Sequence, residues 1–143
     1  MLEVVGRGDV LVVQAFGDPY TGCMGDMLVT NFKGRGGAGI VVDGCIRDWP
    51  RVQMLGVPVW TRGFMPNYAS QSTLYPRANN VPSACSRVLV LPGDIIIADD
   101  DGAVVCRSAA RPPSLSCLSS TKNGKGSAAS SWRRAAHCEN TIR

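Results

Sequence analysis

From Ala38 to Val42 the chain is almost wholly apolar, and it continues as Asp43-Gly-Cys-Ile-Arg-Asp48. Such a run has no polar side to turn toward water, so it reads as a strand covered on both faces. A similar Val-rich run, Asp9-Val-Leu-Val-Val-Gln-Ala15, lies upstream between Gly8 and Gly17. Between the two, Met27, Leu28 and Phe32 fall on one helical stripe over Asp26 to Lys33, and Gly34 ends it. Strand, helix and strand in that order restrict this part of the chain to an α/β layout.

The remaining elements follow the same logic. Residues 17–22 read as a loop, and the second strand is expected to break at a turn on Gly44. Asp48 is a plausible N-cap, with Pro50 in the first turn of a helix reaching about Leu55. Val57 to Thr61 forms a third strand whose Pro58 places it at an edge or marks its start. Residues 62–81 read as loop. Val88 to Leu91 and Asp94 to Ala98 are strands, and Asp99-Asp-Asp-Gly102 is a hairpin turn leading to Ala103–Cys106. The sum is a mixed α/β domain over residues 1–106.

Residues 107–143 are rich in Ser and Ala and show no apolar period of 2 or 3.6. They read as a disordered tail or, more pointedly, as the product of a shifted reading frame. A suitable back-translation moved by two bases gives an ordinary amphipathic ending. Met1 stands just ahead of a core strand, which suggests an N-terminal truncation as well.

The net charge of +4 hides an asymmetry. Residues 1–106 carry 8 Lys and Arg against 10 Asp and Glu, a net of −2, whereas residues 107–143 carry 7 against 1. The body therefore has no basic face for nucleic acid. The six cysteines show no CxxC spacing and His137 is the single histidine, so a standard zinc site is poorly supported. Neither a signal peptide nor a membrane-length apolar run is visible. A reduced, cytoplasmic protein is expected.

Three motifs bear on chemistry. Gly25-Asp26-Met27-Leu28 opens a helix, whose free amides attract a carboxylate or phosphate; it also reads as an ordinary helix start with Asp26 complementing the dipole. Arg47 and Asp48 fall at the carboxyl end of an apolar strand, where open α/β sheets bind ligands. Alternatively, Asp48 only caps the next helix and Arg47 is solvated. Gly34-Arg-Gly-Gly-Ala-Gly39 matches GxGxxG, but a helix precedes it and a strand follows, the reverse of a dinucleotide site. Arg62 reads as a surface residue. Asp99, Asp100 and Asp101 lack the spacing of a calcium loop.

Four segments resemble a known family: Gly25-Asp-Met-Leu28, the GxVVDGxxRD pattern from Gly39 to Asp48, Pro58-Val-Trp-Thr-Arg-Gly63, and Leu91 to Val105. Over residues 8–105 the chain is similar to the aldolases and decarboxylases of 4-hydroxy-4-methyl-2-oxoglutarate and its relatives. The same family contains the regulator of ribonuclease E activity A. The resemblance implies a β/β/α swivelling-type fold, a homotrimer or hexamer, and sites at subunit interfaces. It also implies a divalent cation, magnesium or manganese. By resemblance, the amides of Gly25, Asp26, Met27 and Leu28 hold the substrate carboxylate, Arg47 contacts the substrate, and Asp48 holds the metal, partly through water.

The implied chemistry is physically coherent. Cleaving a C–C bond beside a 2-oxo acid leaves a pyruvate enolate, which a metal stabilises as a Lewis acid and Arg47 stabilises with fixed positive charge. Losing carbon dioxide from oxaloacetate gives the same enolate, and the motif offers no lysine for a Schiff base. The chain departs from the family in lacking an N-terminal stretch, in its odd C-terminal tail, and in Ser86-Arg87, where members often carry glycines. The alternative function is a non-catalytic regulator that binds and inhibits ribonuclease E. A methyltransferase reading lacks a glycine loop in the right order.

Overall fold

The computed structural model describes residues 2–68, 77–107 and 141–142. After a 3-10 turn, Leu2–Val4, the elements are β1 (Val10–Gly22), α1 (Asp26–Gly34), β2 (Gly39–Ile46), α2 (Trp49–Leu55) and β3 (Val59–Phe64). Then come β4 (Ser83–Cys85), β5 (Val88–Val90), β6 (Ile95–Asp99), β7 (Gly102–Cys106) and β8 (Thr141–Ile142).

Strands β1, β2 and β3 form a parallel sheet in that order, as a β-α-β-α-β path requires. Every residue of β2 is buried. Its side chains alternate between two cores. Ile40, Val42 and Ile46 join Val29 and Phe32 of α1 and Val52 of α2 on one face. Val41 joins Cys85, Val88, Val90, Ala103 and Val105 on the other. The domain is thus three layers: helices, parallel sheet, and antiparallel strand pairs. This is the expected β/β/α arrangement.

The structure corrects several details. The expected loop at 17–22 is the end of β1, which bulges after Gln14 and rejoins β2 at Asp18↔Gly44 and Gly22↔Cys45. Phe16 and Gly17 make the bulge with φ of 55° and 69°. Gly44 is strand, not turn. A Cβ there would lie 2.8 Å from the Cβ of Ala15, so glycine lets the bulged strand approach. Leu2 is buried in the helix-side core. Strand β4 was not anticipated; it pairs with β5 across Ser86 and Arg87.

The expectation of a disordered or frame-shifted tail over 107–143 falls largely outside the described residues. Two parts of it are described. Arg107 donates to Asp94 Oδ2 at 2.5 Å and to Leu89 O at 2.8 Å. Thr141–Ile142 pairs antiparallel with Ala103–Val104. The pairing has a simple cause: β6 satisfies one edge of β7, and an open edge accepts any extended segment.

Candidate functional site

The carboxyl ends of β1 and β2 meet the starts of α1 and α2, and four sequence-flagged features converge there. Gly25 is the N-cap of α1 with extended backbone. A Cβ on it would stand 2.5 Å from Asp48 Oδ2 and 2.9 Å from Arg47 Nε, so those side chains lie directly on the Gly25 backbone. Arg47 Nε is 3.4 Å from Asp48 Oδ2. Arg47 Nη1 donates to Gly22 O at 2.9 Å, and its backbone amide donates to Met24 O at 2.8 Å. The guanidinium is therefore strapped across the β1–α1 turn.

Asp48 occupies the N-cap position of α2 in left-handed conformation, φ 59°, and its side chain makes no capping hydrogen bond. The backbone turn aims the carboxylate away from the helix, toward Arg47 and Gly25. Its side chain is 41% exposed, so it can still take a ligand.

The helix start is less open than the sequence suggests. Val29 N–H closes the first turn on Gly25 O at 3.1 Å, leaving the amides of residues 26–28 without intrahelical partners. Asp26 Oδ1 already accepts from the Met27 amide at 2.8 Å. Asp26 Oδ2 pairs with Arg51 Nη1 at 3.2 Å. Arg51 was missed in the sequence. Its signal is a cation one turn after Asp48, in the first turn of a helix where the dipole disfavours it.

The far wall comes from the chain after β3. The Met65 amide donates to Ile46 O at 2.9 Å, and Gly22 N–H donates to Asn67 O at 2.8 Å. A side chain on Gly22 would strike Met65 O and the Arg47 side chain, so only glycine admits this crossing. Beside it, the rings of Trp49 and Phe64 stack with centroids 4.6 Å apart.

A second polar cluster lies on the opposite face of the sheet. Arg62, expected at the surface, donates through Nε to Asp43 Oδ1 at 2.5 Å and through Nη2 to Ser86 Oγ at 3.1 Å. Ser86 Oγ donates in turn to Asp43 Oδ1 at 3.1 Å. Arg62 is exposed, as expected, and it also supplies the counter-charge that Asp43, a carboxylate inside a buried strand, needs. Burial pushes Asp43 upward, but the bonds from Arg62 and Ser86 outweigh it and hold the group below its ordinary value.

No group of three His, Cys, Asp or Glu side chains able to hold a metal occurs among the described residues. The donor chemistry at Asp48 nevertheless fits one kind of ion. Magnesium keeps several waters and needs only one or two carboxylates. Asp48 would be its protein anchor, with water and ligand oxygens completing the sphere.

Residues 1–105 match the sequence profile of the RraA-like family, Aldolase/RraA. The chain belongs to that family. Among curated RraA-like relatives, a Halalkalibacterium halodurans protein named provisionally as a 4-hydroxy-4-methyl-2-oxoglutarate aldolase is 41% identical over 98 residues. That match covers 68% of this chain and 46% of the relative. Among solved structures, Streptomyces coelicolor RraAS2 is described as an unusual member of the RNase ES inhibitor RraA family. It is 64% identical with a TM-score of 0.73, covering 76% of this chain and 55% of that one. The RNA-processing inhibitor RraA from Thermus is 30% identical with a TM-score of 0.66, over 78% of this chain and 65% of that one. The chain spans about half the length of the curated relatives it matches, 48% and 46%. Among the described residues, no helix is long and apolar enough to cross a membrane.

Proposed function

We propose that this RraA-like chain carries the site of a divalent-metal-dependent lyase. It would cleave 4-hydroxy-4-methyl-2-oxoglutarate-type 2-oxo acids to pyruvate and decarboxylate oxaloacetate through the shared enolate. The observation that carries the proposal is the stacking of the Arg47 guanidinium and the Asp48 carboxylate on Gly25 at the start of α1.

Each residue has a chemical task in this reading. The unpartnered amides at the start of α1, Asp26 and Leu28 foremost, receive the substrate carboxylate. Arg47, fixed by Gly22 O, presents a preorganised positive charge where the enolate oxygen forms. Asp48 anchors magnesium or manganese, and the bound cation would supply Lewis-acid stabilisation of the same developing charge. Assembly with further copies, as a homotrimer or hexamer, belongs to the same proposal; Phe16, Tyr20, Met27 and Met54 are exposed.

The test is pyruvate release from oxaloacetate and from 4-hydroxy-4-methyl-2-oxoglutarate with added magnesium. Asp48→Ala should abolish it. Arg47→Lys should lower it severely, because lysine keeps the charge but not the planar fork. Full turnover by Asp48→Ala at saturating magnesium would place the metal elsewhere and sink the assignment.

A second reading, a regulator that binds and inhibits a ribonuclease of the E type, is favoured by one observation: the 64% identity to RraAS2. Co-purification with such a ribonuclease, together with absent pyruvate release by the parent chain, would reverse the order of the two readings.

A further inference from the structure

We propose that Asn67 is a positioning residue for Arg47: the crossing of residues 65–67 over the end of β1 sets the direction in which the guanidinium meets its ligand. The inference rests on the lyase reading for what Arg47 does to that ligand, and goes beyond it in naming what aims the side chain.

The hydrogen bonds supply the first argument, because one short segment reaches both ends of Arg47. At the backbone, the peptide unit leading into Arg47 is held on two sides. Its carbonyl, Ile46 O, accepts from Met65 N–H at 2.9 Å, and its N–H donates to Met24 O at 2.8 Å. At the head, Arg47 Nη1 donates to Gly22 O at 2.9 Å. Gly22 N–H in turn donates to Asn67 O at 2.8 Å. A Cβ on Gly22 would fall 2.8 Å from Arg47 Cβ and 3.1 Å from Asn67 O, so the arginine stem and the crossing close on that glycine together.

Register supplies the second. The ladder of β1 with β2 breaks between Asp18 and Gly22, leaving Pro19, Tyr20 and Thr21 without register partners in β2. Asn67 spans that gap. Its carbonyl takes the Gly22 amide, its side-chain Nδ2 donates to Tyr20 O at 3.3 Å, and the next residue, Tyr68, forms a bridge to Gly22. The carbonyl that anchors the guanidinium is thus placed by the crossing where the ladder is interrupted.

Local chemistry is the third. Pro66 precedes Asn67, and its ring fixes its own φ and keeps Met65 extended, so the crossing is stiff in itself. Any residue at 67 would offer a main-chain carbonyl to Gly22. Asn adds a side-chain donor, which ties the crossing to Tyr20 as well. Asn67 is exposed, so this bond does not serve to satisfy a buried group. What it constrains is the Gly22 carbonyl, and a fixed guanidinium stabilises developing charge without reorganising during the reaction.

The experiment is calorimetric titration of the full chain, in magnesium, with oxalate, a flat dianion shaped like the pyruvate enolate. Oxaloacetate turnover is measured in parallel. The parent, Asn67→Ala and Asn67→Gln are compared, each also in the Arg47→Lys background. Asn67→Ala should weaken oxalate binding and lower kcat about 5- to 10-fold, the upper worth of one net hydrogen bond. KM should stay within about twofold and the melting temperature should not move. Asn67→Gln keeps the donor and should recover part of the loss. In the Arg47→Lys background Asn67→Ala should change either quantity by less than about twofold, because an effect that passes through Arg47 is lost with it. Equal losses in the two backgrounds, no loss in Asn67→Ala, or a melting temperature that falls along with affinity overturns the assignment. So does a parent that binds no oxalate. Oxalate binding that depends on Asn67 through Arg47, without pyruvate release from any variant, would overturn the lyase reading and leave Asn67 assigned. Pyruvate release that is indifferent to Asn67 would do the reverse.

Discussion

Arg62 on the edge strand β3 and Asp43 in the buried strand β2 share a 2.5 Å hydrogen bond on the face of the sheet opposite the candidate site. The carboxylate is nearly enclosed, with 7% of its side chain exposed, while the guanidinium is 46% exposed. The pair therefore has one member that needs it far more than the other does. Arg62→Met leaves a buried charge held by Ser86 alone. A destabilisation of roughly 2 kcal/mol is expected, below the ~3–5 kcal/mol of a fully buried pair, because Arg62 itself is half solvated. Chemical denaturation at pH 7 measures it.

The same pair sets an acid limit. Asp43 is held below its ordinary value in the folded chain, so its contribution is complete above the unfolded carboxylate value of about 3.9 and is lost as pH falls through the lower folded value. Melting temperature followed from pH 6 to pH 2 should fall less steeply on the acid side in Asp43→Asn than in the parent. Parallel curves would show that other carboxylates set the acid limit.

Gly25→Ala tests the site without replacing a charged group. The new methyl would lie 2.5 Å from Asp48 Oδ2 and 2.9 Å from Arg47 Nε. Both are ends of movable side chains, so the fold should yield with a stability change within about 1 kcal/mol. The pair must move, however, and a displacement of about 1 Å at reacting groups can cost on the order of 100-fold. A drop in pyruvate release with an unchanged melting temperature is the expected signature. Unchanged release would mean that the position of the pair is immaterial.

Ser86 and Arg87 turn the β4–β5 hairpin with φ of 48° and 71°. Two left-handed residues between paired strands are the conformation that favours Asn-Gly. Arg87→Gly should stabilise by about 0.5–1 kcal/mol, since relieved strain of roughly 1–2 kcal/mol exceeds the added freedom of the unfolded chain. Ser86→Gly should not share the gain, because it removes the hydroxyl that donates to Asp43. Thermal unfolding of the two variants side by side decides this.

Cys85 is fully buried beside that carboxylate. Burial first, and the nearby Asp43 charge second, push its thiol up to about 11. Iodoacetamide at pH 8 should leave Cys85 unmodified in the native chain and label it on unfolding, because the thiolate is the nucleophile. Native labelling at a rate like that of a free thiol would show that the β4–β5 layer opens readily.

The parallel half of the fold was legible because its residues carry one message at a time. Val10 to Val13 and Ile40 to Val42 are apolar on both faces, and Gly34 ends a helix that could not continue. Gly25, Arg47 and Asp48 were legible as a group from their places at element ends. What escaped was set by contacts between distant residues. Gly44 looks like a turn until Ala15 is placed against it. Arg62 is solvated as its sequence suggests, but its bond to Asp43 shows only once β2 and β3 are paired. Arg51 looks like any helix cation until Asp26 is found beneath it. Strand β4 is three residues long, too short to leave a period.

The four charged side chains of the candidate site, Asp26, Arg47, Asp48 and Arg51, all come from one short stretch of sequence. None is contributed by the antiparallel layer after β3. Bringing them together requires only the brief loop closures of the β1-α1-β2-α2 unit, and closure entropy is small for short loops. The β4–β5 and β6–β7 hairpins are more local still, closing Cys85 on Val88 and Asp99 on Gly102, whereas the parallel sheet pairs Val10 with Gly39, so the chemistry-bearing end of the sheet is expected to order after the hairpins. The antiparallel layer supplies backing to a constellation it does not itself help to compose.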